Sequence, residues 1–305
     1  MSESTQPPAQ THCGVVAIIG APNAGKSTLV NQLVGQKVAI TSAKAQTTRA
    51  RLLGIALANE TQMILVDTPG IFAPRRRLDR AMVNAAWEGT QEADAVLLVV
   101  DPVKQRRHEL MPLIEALAQR PERKLLVLNK VDVSKKEPLL ALAQELNALT
   151  AFSEVFFVSA LTGDGVQELK AHLAALMPAG PWHYPEDQVS DASERLLAAE
   201  ITREQLYRQL REELPYDSAV RPEKYTQRKD GSVEIHQQIV VGRESQRPIV
   251  LGKGGSRIKA IGEAARLELA DVLGQKVHLF LHVKVDENWA DNREIFEEIG
   301  LDWTK

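Results

Sequence analysis

A single cysteine, Cys13, stands in a chain of 305 residues. No disulfide can form within it, and the chain reads as one suited to a reducing compartment. No apolar run approaches the roughly 20 residues that span a bilayer; the longest, such as AVLLVV at 95–100, have the length of buried strands. The opening MSESTQPPAQ has neither the basic start nor the apolar stretch of a signal peptide and reads as a loose tail. Neither sign of charge dominates. Lys and Arg number 37 against 40 Asp and Glu, net −3, which excludes no class of partner and favours none. Beyond the tail there are no repeats or low-complexity tracts. What remains is a globular, cytoplasmic chain, 44% apolar and 25% charged, long enough for two ordinary cores.

Those cores are legible as two different rhythms. From Val15 to Met177 the apolar runs VVAII (15–19), MILV (63–66), AVLLVV (95–100), KLLVL (124–128) and EVFFV (154–158) alternate with helical stretches. Such unbroken runs suit parallel strands covered on both faces. Helix candidates include STLVNQLVG, closed by Gly35, and HELMPLIEALAQR, closed before Pro121. The alternation predicts a doubly wound α/β domain. MPAGPWHYPEDQVSDASE (177–194) carries three prolines and no period, the mark of a linker. Beyond it come a helix from about Glu194 to Leu210, two strands around KDGS (229–232), and a last strand whose Val277, Leu279, Leu281, Val283 and Val285 share one face. These predict a smaller α+β domain with a half-exposed antiparallel sheet. The expected division is a tail over 1–12, a first domain over 13–177, a linker over 178–193 and a second domain over 194–305.

Residues 20–27, GAPNAGKS, match G-x-x-x-x-G-K-[ST] between a strand and a helix. In that motif Gly20 and Gly25 let the loop's backbone N–H groups turn inward around phosphate, with Ala21, Pro22, Asn23 and Ala24 between them in the nucleotide-binding loop. Lys26 adds positive charge at the β- and γ-phosphates, and the Ser27 hydroxyl ligates Mg²⁺. The loop alone does not choose between ATP and GTP; three further segments do. Asp67 opens DTPG (Asp67, Thr68, Pro69, Gly70) at a strand's carboxyl end, where it can hold the Mg²⁺ water shell, and the Gly70 amide can meet a γ-phosphate. Asn129, Lys130, Val131 and Asp132 follow another strand. The Asp132 carboxylate can accept from guanine N1–H and the exocyclic amine together, a pair adenine lacks. Asn129 can bond the base and tie its loop to the phosphate loop, while the Lys130 stem covers the ring. Ser159 and Ala160 follow the last strand, with the Ala160 amide placed for guanine O6. Between these motifs, Thr48, in preference to Thr47, is the candidate second Mg²⁺ ligand, ordering only with a γ-phosphate present. Lys26, Thr48, Asp67 and Gly70 are the catalytic candidates of a GTP hydrolase using Mg²⁺. Ile71 follows Gly70 where Ras-like proteins place a water-orienting glutamine, so slow intrinsic hydrolysis is expected.

A second glycine loop, GKGG at 252–255, lacks G-K-[ST] but matches the GXXG loop of a KH domain, which clamps about four nucleotides of single-stranded backbone. Gly252, Gly254 and Gly255 permit close approach, and Lys253, Arg257 and Lys259 add charge. From Asp191 onward the chain is net acidic, with 18 basic and 21 acidic residues. Within 243–266, six basic residues face two acidic ones, so positive charge is local to the loop, as an RNA groove rather than a DNA-wrapping surface requires.

Together, GAPNAGKSTLVNQLVGQKVAITSAKAQTTR, DTPGI, NKVD, SAL, LGKGGSRIKAIGEAAR and LFLHVKVDENW resemble the Era family of bacterial GTPases over nearly the whole chain. That resemblance implies a P-loop GTPase domain followed by a type II KH domain. It implies GTP and GDP as ligands, Mg²⁺ as cofactor, and binding of the 3′ region of small-subunit (16S) rRNA. It further implies a monomer that assists 30S subunit maturation in the cytoplasm, with some association at the inner membrane surface and no DNA partner. Asn23 resembles an asparagine that related GTPases use to hold K⁺ beside the phosphates. A GTPase switch acting on a protein effector, or an RNA chaperone using GTP only as a structural ligand, are the alternatives. Arg75–Arg77 reads as a solvated charge run rather than an arginine finger.

Overall fold

A computed structural model describes residues 10–42, 44, 47–72, 74, 77–91, 93–104, 107–211, 214–298, 301 and 303. The elements run β1 (His12–Ile19), α1 (Lys26–Val34), β2 (Leu52–Ala58), β3 (Thr61–Asp67), α2 (Arg77–Glu88), β4 (Ala95–Val100), α3 (Arg107–Ala118), β5 (Arg123–Leu128), α4 (Lys136–Leu149), β6 (Glu154–Phe157) and α5 (Val166–Leu176). They continue with α6 (Glu194–Gln209), β7 (Ser218–Gln227), β8 (Val233–Val241), α7 (Arg247–Leu251), α8 (Ser256–Leu273), β9 (Val277–Val285) and α9 (Arg293–Glu298). The chain packs into two compact units. One comprises 1–36, 53–67 and 89–191; the other comprises 37–52, 68–88 and 192–305.

The first unit carries a six-stranded sheet in the order β2-β3-β1-β4-β5-β6. Its centre is the apolar runs read from the sequence: β4 is buried at every position, as a parallel strand covered on both faces must be. β1 pairs in parallel with both β3 and β4, bringing Ile18 level with Asp67 and Leu97. That register gathers the carboxyl ends of β1 and β3 at one edge, where ligands of doubly wound sheets bind. β5 pairs in parallel with β4 and β6, with Leu128 level with Val100 and Phe157. β2 was not among the predicted runs. It joins β3 through Asn59 and Glu60, a two-residue connection that only antiparallel neighbours can use, with Asn59 at φ 52°.

The segment predicted as a linker is laid along this edge rather than free of it. Ser190 bridges to Gly54, the Ile55 amide donates to the Val189 carbonyl at 2.8 Å, and Gln62 bonds His183 and Tyr184. Trp182 and Tyr184 pack on Cys13, Leu53, Ile64 and Val66. Unpaired β2 backbone is thereby covered, and the proline-rich composition gave no sign of it.

In the second unit a three-stranded sheet, β7-β8-β9, is covered on one face by α6 and α8 through Ala199, Leu206, Ile239, Val241 and Ile261. The expected antiparallel sheet is corrected here: β7 and β8 are antiparallel, but β8 and β9 are parallel. Between β8 and β9 the chain passes through α7, the glycine loop and all of α8. A crossover of that kind returns the chain to the sheet in the same direction. RPIVL, ahead of the glycine loop, forms α7. The other sheet face meets α2 and α9, with Ala219 and Val240 packed among Met82, Trp289 and Phe296.

Helix α6 is buried nearly all round from Ala198 to Tyr207, including Arg203 and Glu204. The segment 37–52 supplies the partners: Lys37 pairs with Glu204 and with Glu268 of α8. Lys44 donates to the Tyr207 and Leu210 carbonyls at the helix end. Arg49 donates to the Ser218 carbonyl at 2.8 Å and lies 5.6 Å from the Trp289 ring centre. Of the arginine run, Arg75 and Arg76 lie outside the described residues. Arg77 is not merely solvated: it lies 4.7 Å from the Trp303 ring centre and 3.4 Å from the Asp291 carboxylate.

Candidate nucleotide site and nucleic-acid interface

The phosphate loop leaves β1 at Gly20 and enters α1 at Lys26. Gly25 caps that helix at φ 96°, and a side chain there would put its Cβ 2.2 Å from Asn129 Nδ2; only glycine satisfies both constraints. Ala21 and Ala24 are buried, Pro22 is half-buried, and Asn23 is exposed at φ 63°. Lys26 is 6% exposed, and its ammonium donates to the Gly20 and Ala21 carbonyls at 3.2 and 3.0 Å. Burial lowers its pKa to about 8 despite the opposing pull of Asp67. A buried ammonium at the start of α1 suits an anionic ligand such as phosphate.

Ser27 Oγ donates to Asp67 Oδ2 at 2.6 Å. The pair offers only hard oxygen donors, and the described residues contain no cluster of three or more His, Cys, Asp or Glu. This suits Mg²⁺, which takes one or two protein oxygens and fills its shell with phosphate and water. Thr68, Pro69 and Gly70 are buried and Ile71 half-buried; they belong to the second unit, as does half-buried Thr48.

At the next strand ends, Asn129 works entirely within the protein. Its Nδ2 donates to the Ala24 carbonyl at 2.8 Å, tying this loop to the phosphate loop, and its Oδ1 accepts from the Lys130 and Ala160 amides at 2.8 and 2.9 Å. The Ala160 amide, expected to meet guanine O6, thus already has an acceptor. Ser159 is buried and its Oγ accepts from the Thr162 amide at 3.2 Å. Val131 and Asp132 lie in a single 3₁₀ turn, with Asp132 exposed. Asp101, just after β4, was missed from sequence: its carboxylate holds Lys130 Nζ at 2.5 Å. An acid directly after a buried strand was the available signal.

In the second unit Gly252, Gly254 and Gly255 all have positive φ, and the last caps α8. Nothing lies within 4 Å of where a Cβ would stand on Gly254 or Gly255, so the loop presents bare backbone. Lys253, Arg257 and Lys259 are exposed, with Arg257 donating to the Ile249 carbonyl at 3.3 Å. Alongside runs a groove of about 590 Å³ between α8 and the edge strand β9, lined by Ile258, Lys259, Gly262, Arg266, Leu279 and Leu281 among others. Its apolar lining was not singled out from sequence, because helix and strand residues far apart in the chain compose it.

A Mg²⁺-compatible phosphate loop with the DTPG, NKVD and SAL segments, followed by a GXXG helix–turn–helix on a small sheet, is the arrangement of a GTPase carrying a KH domain. A 50S ribosome-binding GTPase family model matches residues 15–130, and a KH domain model matches residues 213–290. The chain is 80% identical to GTPase Era of Erythrobacter litoralis, covering 96% of this chain and 98% of that one. It is 55% identical to GTPase Era of Bradyrhizobium sp. strain BTAi1, covering 98% and 97%. Among solved structures, Era in complex with MgGDPNP and nucleotides 1506–1542 of 16S ribosomal RNA superposes with a TM-score of 0.90 at 37% identity, covering 95% of this chain and 99% of that one. A point variant of Aquifex aeolicus Era bound to GDP·AlF4⁻ gives 0.88 at 38% identity over 95% and 99%. The chain belongs to the GTPase Era family and is a GTPase.

Proposed function

We propose that this GTPase uses its KH groove to bind the 3′ region of small-subunit rRNA and assists maturation of the 30S subunit, working in the cytoplasm and at the inner membrane surface. The observation that carries this is the bare, lysine-bearing glycine loop beside a groove where Lys259, Glu263 and Arg266 stand with Ile258, Leu279, Phe280 and Leu281, on the same chain as a P-loop site. Support comes from the relative solved with a 16S rRNA fragment.

Lys26 neutralises the β- and γ-phosphates while the backbone N–H groups of the Gly20–Gly25 loop, Pro22 excepted, orient them. Ser27 and Asp67, with Thr48, would hold Mg²⁺, which would supply positive charge to offset that of the phosphates. Asp132 selects guanine and Lys130 covers the ring. The Gly70 amide meets the γ-phosphate, and Ile71 leaves water positioning to groups other than its own side chain. Asn23 is proposed as a K⁺ ligand beside the phosphates.

The test of the RNA reading is Lys253→Asp with Gly254→Asp. Two carboxylates then face the RNA backbone, and Asp tolerates the positive φ at 254. Lost and repulsive charge contacts cost several kcal/mol, at least about a hundredfold in affinity for rRNA 3′-end oligonucleotides. GTP hydrolysis without RNA should stay near its original rate. Normal RNA binding by a folded variant would sink the reading and turn attention to a protein effector.

A further inference from the structure

Asp101 is 4% exposed and belongs to none of the nucleotide-binding motifs. It is the first residue after β4, and the pairing of Val100 with Leu128 sets it beside Asn129, whose amide donates to the Val100 carbonyl at 2.9 Å. Both carboxylate oxygens are engaged. Oδ1 accepts from the Val103 and Lys104 amides at 2.9 and 3.1 Å, closing the turn after the strand. Oδ2 accepts from the Lys130 ammonium at 2.5 Å. The same ammonium donates to the Asn23 carbonyl of the phosphate loop at 2.8 Å.

Lys130 needs such holding. Its backbone lies in the left-handed region, φ 64° and ψ 38°, which a non-glycine residue adopts only when its surroundings impose it. A lysine stem also has several rotatable bonds, and a flat support for a base requires one arrangement of them. Charge-assisted bonds to a buried, fixed carboxylate supply that arrangement. Burial alone would raise the Asp101 pKa, but the Lys130 ammonium and the two amides outweigh it and hold the value below the ordinary one.

From this geometry we infer that Asp101 is a positioning residue for guanine-nucleotide binding, fixing the Lys130 side chain as the platform for the base. This rests on reading NKVD as the guanine loop. In this role Asp101 acts through Lys130, its carboxylate being engaged by Val103, Lys104 and Lys130.

Asp101→Asn isolates that action. The amide oxygen can still accept from Val103 and Lys104, but an NH₂ group now confronts the ammonium. Stopped-flow release of a fluorescent GDP should be about tenfold faster or more, while competition by inorganic pyrophosphate, which has no base, should change less than about twofold. Lys130→Met, which keeps the stem and removes the charge, should accelerate GDP release similarly. In the Lys130→Met background Asp101→Asn should add little, because the pair is already broken. Equal losses for GDP and pyrophosphate, or a full additional loss in the double variant, would mean that Asp101 merely holds up the turn. Unchanged GDP release in Asp101→Asn would overturn the inference outright. If Asp101→Asn does not fold, Lys130→Met decides alone: unchanged GDP release overturns the inference. Asp132→Asn, assayed with GDP against xanthosine diphosphate, separates the underlying reading. No change of base preference there rejects the guanine loop itself, whereas a change of preference with a silent Asp101→Asn rejects only the role of Asp101.

Discussion

The buried ammonium of Lys26 makes nucleotide binding a proton-uptake reaction on the alkaline side. With a free-state pKa of about 8 against an ordinary 10.5, burial costs the charged form about 3 kcal/mol, taking about 1.4 kcal/mol per unit. Phosphate oxygens replace that deficit with attraction, so binding raises the pKa. A group raised on binding contributes fully below its free value and loses its contribution as pH climbs through the bound value. A group with a pKa of about 8 is about one tenth neutral at pH 7 and about three quarters neutral at pH 8.5. GDP binding should therefore take up about 0.1 proton at the first pH and about 0.75 at the second. Between pH 7 and pH 9 the Kd should weaken about tenfold, equivalent to about 1.4 kcal/mol. Titration calorimetry in two buffers of different ionisation heat reads the uptake directly. Less than about 0.2 proton at pH 8.5, with a flat Kd, would refute the claim that this ammonium is desolvated in the free protein and meets phosphate in the bound one. Lys26→Ala should give no binding heat at either pH.

If Asn23 holds K⁺ beside the phosphates, hydrolysis should run faster in KCl than in NaCl at equal ionic strength, and Asn23→Ala should erase the difference; equal wild-type rates would reject the site. Arg49→Met should destabilise the second unit by about 3 kcal/mol, the scale for stripping buried acceptors of a charged donor. It leaves the Ser218, Pro215 and Tyr216 carbonyls without their guanidinium. An unchanged urea midpoint for that unit would count against the packing described.

Local chemistry made the strand ends, the phosphate loop and the GXXG loop legible. β4 announces itself because a strand buried on both faces must be apolar throughout, and Gly25 and Lys26 because the phosphate motif fixes them at a strand-to-helix step. Where the outcome depended on what lies across the fold, the chain was silent. The period-2 pattern of β9 is identical in either direction, and only the crossover through α7 and α8 makes it parallel to β8. A proline-rich stretch looks the same free or docked, until Gln62 and Gly54 supply its partners. Asp101 is one acid among many until the register of β4 and β5 carries it to Lys130. The sequence by itself determined which chemistries the chain carries, since each resides in a short motif that dictates its own backbone. Tertiary structure alone decided that residues 37–52 pack with α6 and α8 rather than with the sheet that flanks them in sequence. Pairings such as Lys37 with Glu204 and Glu268 join residues whose separation along the chain leaves no periodicity to read.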